Sequence, residues 1–583
     1  MSLNVDFYQK RQQSLICMSH HQLKTIYGFV FNTKDISVNN DNERFLNITY
    51  DDFRNIVKQR YIVCLLNSQK VTFVVKQLNC VDLKNVVGNI LFVNNDTFSQ
   101  ILIDVYGDFI ENFCQNTRSY TKINSKTLNY RTLTKVIYVF FSTILCLLIL
   151  PSTKNVACNI LLFYYIVVFF SKGFCLFVGC VLAVCDKYAK TNNKTKNIDD
   201  CECPIYTILV PMFKERRETI LQMINGLNSL NYPKNKLDIK FVLEECDVNT
   251  RKVVNEIIET KKNNLPSGFL NIINVPKFPP QTKPKACNVA SLFAFGDYIV
   301  IFDAEDIPSP NQLINSLSLF KENKNKNLFC LQGNLCFYNY NTNILTSFFN
   351  IEYNIHFKLL LRAYSLFNIT LPLGGTSNHF NFKSLERCCF WDSYNVTEDV
   401  EISSIIKQGE NKITHLNSDT NEWCVEDLKS WIKQRTRWMK GYLLTYYLFI
   451  VRDIMAVKNF NIHQLKSISL LCIIRRFFFK HIIVGSQVMV FLLSPFLLKI
   501  LLFVNVEYEY YNILTTISVL IYLLSIIWYI FLIKREHKKI SKIVILSCLM
   551  YPFYFILHII TSYIALVDLI KRPFYWAKTE HKC

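Results

Sequence analysis

The stretch DYIVIFDAED, Asp297 to Asp306, decides the fold. Tyr298 to Phe302 is a continuous apolar run of strand length that stops abruptly at Asp303, Glu305 and Asp306. Two earlier stretches have the same form. Tyr206 to Val210 reads as a strand ended by Pro211, and Lys240 to Leu243 reads as a strand running into Glu244, Glu245 and Asp247. Between them, Glu218 to Leu230 has helical spacing. Short apolar runs alternating with helical stretches predict an α/β domain between Cys203 and Gly441, a mixed sheet with covering helices. In open α/β sheets ligands gather outside the carboxyl ends of the strands, and these strands deliver carboxylates to that edge.

Outward from this core the chain becomes apolar. Hydrophobic residues are 51% of the 583, above ordinary globular usage. The excess is concentrated in Ser142 to Leu150, Cys158 to Val184, His481 to Val504, Ile513 to Ile533 and Ile543 to Leu569, several of which reach the ~20 apolar residues a spanning helix needs. These segments predict a multi-pass membrane protein. The formal charge of +20 does not indicate nucleic acid, because the lysines are scattered and no basic stripe interleaved with aromatics is present. The charge is informative locally. Arg118, Lys122, Lys126, Arg131 and Lys135 precede the first apolar segment, and Lys187, Lys190, Lys194 and Lys196 follow the second, with only Lys154 between. By the positive-inside rule the first two segments form an out-and-back hairpin, and Asp186 to about Lys466 faces the cytosol. The 21 cysteines show no metal-ligand spacing, which fits a reducing compartment. The polar first 130 residues show no cleaved signal peptide.

Two further clusters follow FDAED. Thr397, Glu398 and Asp399 precede Val400 and Ile402, which is a good helix start with acidic side chains at the positive end of the helix. Then comes QRTRWMKG, Gln434 to Gly441. Each cluster has an ordinary explanation alone, a capped helix and a solvated basic face with one anchoring aromatic. In order, between apolar segments, they describe carboxylates and cations arranged around concentrated negative charge beside a membrane.

VPMFKE (Val210 to Glu215), LEECD (Leu243 to Asp247), TKPKACN (Thr282 to Asn288), FDAED, LGGTSNHF (Leu373 to Phe380), WDSYNVTEDVEI (Trp391 to Ile402) and QRTRWMKG together resemble the inverting family-2 glycosyltransferases. The flavour is that of the cellulose-synthase-like membrane branch that includes bacterial phage-adsorption protein B, and RPFYWAKTEH (Arg572 to His581) resembles that branch's tail. The resemblance implies a cytosolic GT-A domain inserted between transmembrane helices of a bacterial inner membrane, and a nucleotide-sugar donor. The implied acceptor is a glycan or lipid-linked molecule.

It also implies Mg²⁺ or Mn²⁺ on the donor diphosphate, held at the family's DxD positions by Asp303 and Glu305. The second position departs from the pattern, because Glu keeps the charge on a longer arm. Asp399 takes the place of the family's general base, with Glu398 beside it. Arg437 is expected on the pyrophosphate, where a planar guanidinium suits phosphate oxygens. Arg435 lies two positions away, off that helical face, and has a supporting role. Gln434 offers a polar hand to an acceptor hydroxyl, and Trp438 is either a platform for a sugar ring or a packing anchor. Glu215, Lys283 and Lys285 match donor-binding positions, as do Glu244, Glu245 and Asp247, one of which reads the nucleotide base. Gly375 and Thr376 match an acceptor loop.

Beyond Gly441, Leu465 to Phe479 mixes apolar residues with Lys466, Arg475 and Arg476, the pattern of an interface helix. His481 to Val504 and Ile513 to Ile533 then form a second hairpin. A single crossing by Ile543 to Leu569 would place Lys571 and Arg572 outside, against the charge rule, so a broken, re-entrant or interfacial arrangement, which Pro552 in its middle allows, is expected there. The parts are then a small N-terminal α/β accessory domain (1–130), a transmembrane hairpin (131–186), the catalytic domain (187–460) and a C-terminal membrane region (461–583). Leu91 to Ser119 resembles the small domain at the amino end of type II secretion ATPases and is read as a docking module. Two other functions stay open at this level. One is a catalytically silent transferase-derived receptor or scaffold. The other is a polysaccharide synthase that needs a partner subunit to complete an extrusion channel.

Overall fold

The computed structural model describes residues 48–59, 61–66, 69–75, 89–93, 95–117, 125–128, 130–189, 202–260, 269–322, 327–405, 412–458, 470–503 and 541–572, with scattered positions from 512 to 534. The chain divides into two compact units. One takes Met1–Thr117, Pro204–Arg217 and Lys234–Ile299, and the other takes Arg118–Cys203, Glu218–Pro233 and Val300–Cys583.

The first unit holds a three-stranded sheet and three strands of a larger one. Strands β1 (Tyr61–Leu66), β2 (Gln69–Val75) and β3 (Asn89–Val93) form a small three-stranded sheet in sequence order, with β1 antiparallel and β3 parallel to β2. Strands β4 (Tyr206–Met212), β5 (Leu237–Glu244) and β6 (Phe269–Val275) are parallel, in the order β6-β5-β4. Every residue of β5 is buried, as expected for a strand covered on both faces. Pro211 does not end β4, which runs on to Met212; its neighbour in the ladder is β5 at Val242.

The helix Asn95–Val105, directly after β3, packs on β6. Asp96 accepts the amide of Ile272 at 2.6 Å, Ser99 accepts from Asn271 at 2.9 Å, and Gln100 accepts from Asn274 at 2.9 Å. An edge strand with open amides is a pairing hazard, and this helix closes it. Arg54, from the helix Tyr50–Gln59, donates to the carbonyls of Leu292 and Ala294 at 2.8 and 2.7 Å.

The second unit begins within β7 (Tyr298–Ile301), the strand predicted from Asp297 to Phe302. It adds β8 (Ile307–Pro308), β9 (Leu328–Phe337), β10 (Asn378–Asn381) and β11 (Lys412–Glu422), in the order β7-β10-β9-β11-β8. Strand β9 is antiparallel to β10 and parallel to β11, so the sheet is mixed, as the sequence predicts. The helix Leu428–Lys458, which carries QRTRWMKG, leaves this sheet.

Among the described residues three helices are long and apolar enough to cross a membrane: Asn155–Cys185, Leu470–Leu498 and Lys542–Lys571; Thr132–Leu147 is a shorter apolar helix. The first hairpin is tight, with the helix Tyr130–Ile149 followed by Pro151–Ala189. Ile513 to Ile533 falls largely outside the described residues, as does the tail from residue 573. Two expectations change. From Leu470 the predicted interface helix does not end before a separate crossing helix, but runs through π-helical turns at Phe478–Gly485 into Ser486–Phe503. The last segment does not break at Pro552, because Lys542–Lys571 is one helix of 30 residues. Removing one amide donor inside a long helix leaves its other turns intact, and neighbouring side chains hold the geometry.

Candidate active site

In the first unit the carboxylates after β5 differ in what they have left to offer. Lys285 is fully buried and donates to Glu244 at 3.0 Å and to the carbonyls of Pro276 and Phe278 at 3.3 and 3.4 Å. It sits in the first turn of the helix Lys283–Ser291, capped by Thr282 with Pro284 next to the start. Burial pushes the Glu244 carboxyl up, against the pull of Lys285. Lys285 and Glu244, both expected at the donor, pair with each other here, because a buried ammonium needs a counter-charge. Asp247 accepts amides from Lys214 and, at 3.2 Å, from Thr250, and Glu215 donates its amide to the Thr250 hydroxyl at 3.0 Å. Glu245 is exposed and accepts the Lys277 amide at 3.0 Å. Lys283 is half-buried at the helix start.

In the second unit FDAED folds into a tight turn. Asp306 is fully buried, and one of its oxygens accepts the Asp303 amide at 2.7 Å and the Thr376 hydroxyl. Burial, with Asp303 and Glu305 adding to it, pushes the Asp306 carboxyl well above the usual range. Thr376 was expected at the acceptor. Its hydroxyl lies beneath this turn, 3.2 Å from the carbonyl of Ile301, where the buried carboxylate of Asp306 requires donors. Gly375 is half-buried beside it. Asp303 is half-buried at the strand end with Glu305 near it. Among the described residues no three side chains of metal-ligand type gather. Two hard carboxylates still fit Mg²⁺ or Mn²⁺ of the kind that takes one or two protein oxygens and the rest from phosphate and water.

Glu398 and Asp399 begin the helix Glu398–Ile405 and are half-buried. The segment before them is fastened to the helix Leu428–Lys458. Asn395 accepts the Thr397 amide at 3.0 Å and donates to Thr445 at 3.1 Å, while Glu401 pairs with Arg452 at 2.8 Å. Gly441 makes the approach possible: a Cβ there would lie 2.1 Å from Cγ2 of Thr397. This explains why QRTRWMKG ends in glycine.

The two arginines of that motif have separate fates. Arg435 is buried and forms a two-point pair with Glu352 at 2.7 and 2.5 Å. Its guanidinium lies 4.1 Å from the Phe349 ring centroid and 4.5 Å from that of Trp438. Arg437 faces elsewhere. Burial holds it below the ordinary arginine range, and the opposing charges are, in order, Glu398, Asp303 and Asp399. The FDAED, Thr-Glu-Asp and QRTRW clusters therefore converge in one electrostatic neighbourhood around Arg437. Trp438 stacks with Tyr353 at 6.3 Å and meets Phe349 edge-on at 5.7 Å. Gln434 is nearly buried, and its side-chain oxygen has no hydrogen-bond partner among the described residues. Glu352, Tyr353 and Tyr442 were not foreseen. Glu352 completes Arg435, and Tyr442 lies within the electrostatic reach of Asp399. Glu352 and Tyr353 sit on an apolar helix, Ile344–Tyr353, with nothing in its pattern to mark them.

The model of glycosyl transferase family group 2 matches residues 298–567. The probable glycosyltransferase YdaM of Bacillus subtilis (strain 168) is 29% identical over 249 residues, 41% of this chain and 56% of that protein, so the chain matches little more than half of its length. Among solved structures, the chain is similar to the mannosyltransferase PcManGT from Pyrobaculum calidifontis, in complex with GDP-Man and Mn²⁺, at 16% identity and a TM-score of 0.40, covering 69% of this chain and 97% of that one. It is also similar to S. aureus TarS 1-349 at 14% identity and a TM-score of 0.31, covering 64% of this chain and 93% of that one.

Proposed function

We propose, from the match of residues 298–567 to glycosyl transferase family group 2, that the chain transfers a hexose, with inversion, from a nucleotide-sugar donor to a glycan or lipid-linked acceptor at the cytosolic face of a membrane. The observation that carries this reading is the gathering of Asp303, Glu398 and Asp399 around Arg437. Inversion needs a base opposite the leaving diphosphate and a cation beside it. Asp399 accepts the proton of the acceptor hydroxyl as its oxygen bonds to the anomeric carbon. The bond from that carbon to the diphosphate breaks, and the electron pair leaves on a phosphate oxygen that Arg437 stabilises. Mg²⁺ or Mn²⁺, when bound, neutralises diphosphate charge, and Asp303 and Glu305 are the residues to hold it.

Gln434 carries an unsatisfied oxygen suited to a sugar hydroxyl, and Trp438 adds an apolar wall. Arg435 acts at one remove, holding Trp438 and Glu352 in place. In the first unit Glu245 keeps the most free acceptor capacity of the three carboxylates after β5 and is assigned to the nucleotide base. Lys283, Glu215 and Asp247 remain donor-binding assignments on their motifs. The setting is a membrane whose lipid surrounds the apolar helices.

The test is release of nucleoside diphosphate from a panel of nucleotide sugars by purified protein in detergent with Mg²⁺ or Mn²⁺. Asp399→Asn keeps the shape but cannot take a proton, and is expected to lower turnover by ~10²–10⁴-fold while donor binding survives. Retention of more than half the activity would remove Asp399 from the role.

A further inference from the structure

We propose that Lys172 and His356 hold the phosphate group of a membrane lipid in an opening between two helices of the second unit. Lys172 lies inside Asn155–Cys185, one of the helices apolar enough to cross a membrane. That helix has an inside and an outside. Phe163, Phe170, Phe174 and Phe177 are exposed and share one side, whereas Leu161, Tyr165, Val168 and Cys175 are buried on the other. Lys172 is four positions beyond Val168 and three before Cys175, so at 3.6 residues per turn it falls in the middle of the buried side. An ionisable side chain within an apolar helix that faces its own protein calls for a partner. Among the described residues no carboxylate pairs with Lys172 or acts on it.

The packing opens at this one level. Val168 and Cys175 are 1% and 3% exposed, but Lys172 between them is only half-buried. Opposite lies the continuation of the helix Ile344–Tyr353, through π-helical turns at Asn354–Leu360 into Leu361–Leu366. The two helices meet tightly nearby. A Cβ at Gly179 would lie 2.3 Å from the carbonyl oxygen of Leu359, and Phe174 stacks on Phe367 at 5.9 Å. His356, in the π-helical turns, is half-buried like Lys172. Burial holds its imidazole down to about 4, and the charges that add to this are Lys172 first and Arg435 second. Near neutral pH the ring is therefore uncharged and offers one N–H. Arg435 is already paired with Glu352. An ammonium and an imidazole N–H on the two walls of one opening, with no protein carboxylate for the ammonium, are the donors that a phosphate accepts from.

The level of the opening suits a lipid headgroup. Tyr165 donates to the carbonyl of Val490 at 2.6 Å. Further along, Cys175 acts on Tyr364, whose ring meets Phe478 at 6.4 Å. Lys172 is thus level with the part of the helix Leu470–Leu498 close to Phe478, where Arg475, Arg476 and Lys480 stand. Basic openings between membrane helices near the headgroups collect anionic lipids. Lys480 is taken by Asp453, which leaves Lys172 as the cation to meet the phosphate in this opening. The site does not depend on the reaction proposed above, and binding is read without any nucleotide sugar.

The test is thermal unfolding of the full chain in a neutral detergent, titrated with phosphatidylglycerol, a polyprenyl phosphate, diacylglycerol or inorganic phosphate. A ligand of the folded state raises the melting temperature. At least one of the two lipid phosphates is expected to raise it where diacylglycerol does not, and the stronger of them tells a phosphodiester headgroup from a phosphate monoester. Lys172→Arg is expected to respond as the unaltered protein does. Lys172→Met removes an unpaired charge, so without lipid it is expected to melt no lower. It is also expected to need ~10-fold or more lipid for the same shift, the weight of one charged hydrogen bond. An equal response to diacylglycerol, a response to inorganic phosphate alone, or an unchanged response in Lys172→Met overturns the inference. A lower melting temperature of lipid-free Lys172→Met overturns it as well, because protein groups would then already satisfy the ammonium. His356→Phe is expected to weaken the lipid response, and an unchanged response would remove His356 from the site.

Discussion

At the residue scale, neighbouring carboxylates with the same formal charge have different duties because their surroundings differ. Asp303 is half-buried at a strand end, whereas Asp306, three positions on, is sealed beneath it by Thr376 and the Asp303 amide. Asp303→Ala is therefore expected to abolish metal-dependent binding of a nucleoside diphosphate with the melting temperature nearly unchanged. Asp306→Ala removes the nearest acceptor of the Thr376 hydroxyl and of the Asp303 amide and leaves them only the longer contacts to Ile301 and to Thr376, at about 1–3 kcal/mol, and is expected to lower the melting temperature first. Calorimetric titration beside thermal unfolding separates the two, and equal stability losses would contradict the assignment. Arg435 and Arg437 divide in the same way, the one paired with Glu352 and the other under the electrostatic pull of Glu398, Asp303 and Asp399. The sequence separates their faces by helical spacing but does not reveal Glu352.

At the element scale, the close contact of two helices sets the geometry of the proposed base. Thr397 presses on Gly441, and Asn395 and Glu401 tie the same turn to Thr445 and Arg452. A methyl group at position 441 meets Thr397 Cγ2 at 2.1 Å, so one helix must move. Gly441→Ala is expected to reduce turnover by more than ~10-fold, since displacements near 1 Å cost about 10²-fold in well-aligned sites. Adding Thr397→Ser removes the clashing methyl and is expected to restore part of the rate. No recovery in the double variant would place the cause elsewhere. The strand ends, helix starts and carboxylate clusters around this contact were legible as patterns. The contact was not, because nothing in the local sequence states which helix a turn will face.

At the scale of the whole molecule, the N-terminal segment joins the first unit by covering the edge of β6. Asp96 makes that joint sensitive to pH. Burial raises its carboxyl from 3.8 to about 6, against the pull of the Ile272 amide and Lys240. A carboxyl raised on folding adds stability that is complete below its unfolded value and is lost as pH rises through the folded one. The window here lies between 3.8 and about 6. Asp96→Asn keeps the acceptor for Ile272 without the charge, and is expected to raise stability above pH 7, by at most about 3 kcal/mol, with no gain at pH 4. Thermal unfolding at the two pH values measures the difference, and a loss at pH 7 would contradict it.

The sequence by itself determined the α/β class, the membrane-length helices and the resemblance to family-2 glycosyltransferases. These depend on periodicity, on runs of apolar residues and on side-chain chemistry at fixed spacing, all of which are local properties. It could not say that Lys285 is spent on Glu244, that Thr376 supports Asp306, or that an apolar 30-residue helix runs alongside a charged one. Those outcomes depend on which surfaces meet. Burial makes each charged or polar group take a partner, and only the tertiary structure decides which partner is within reach.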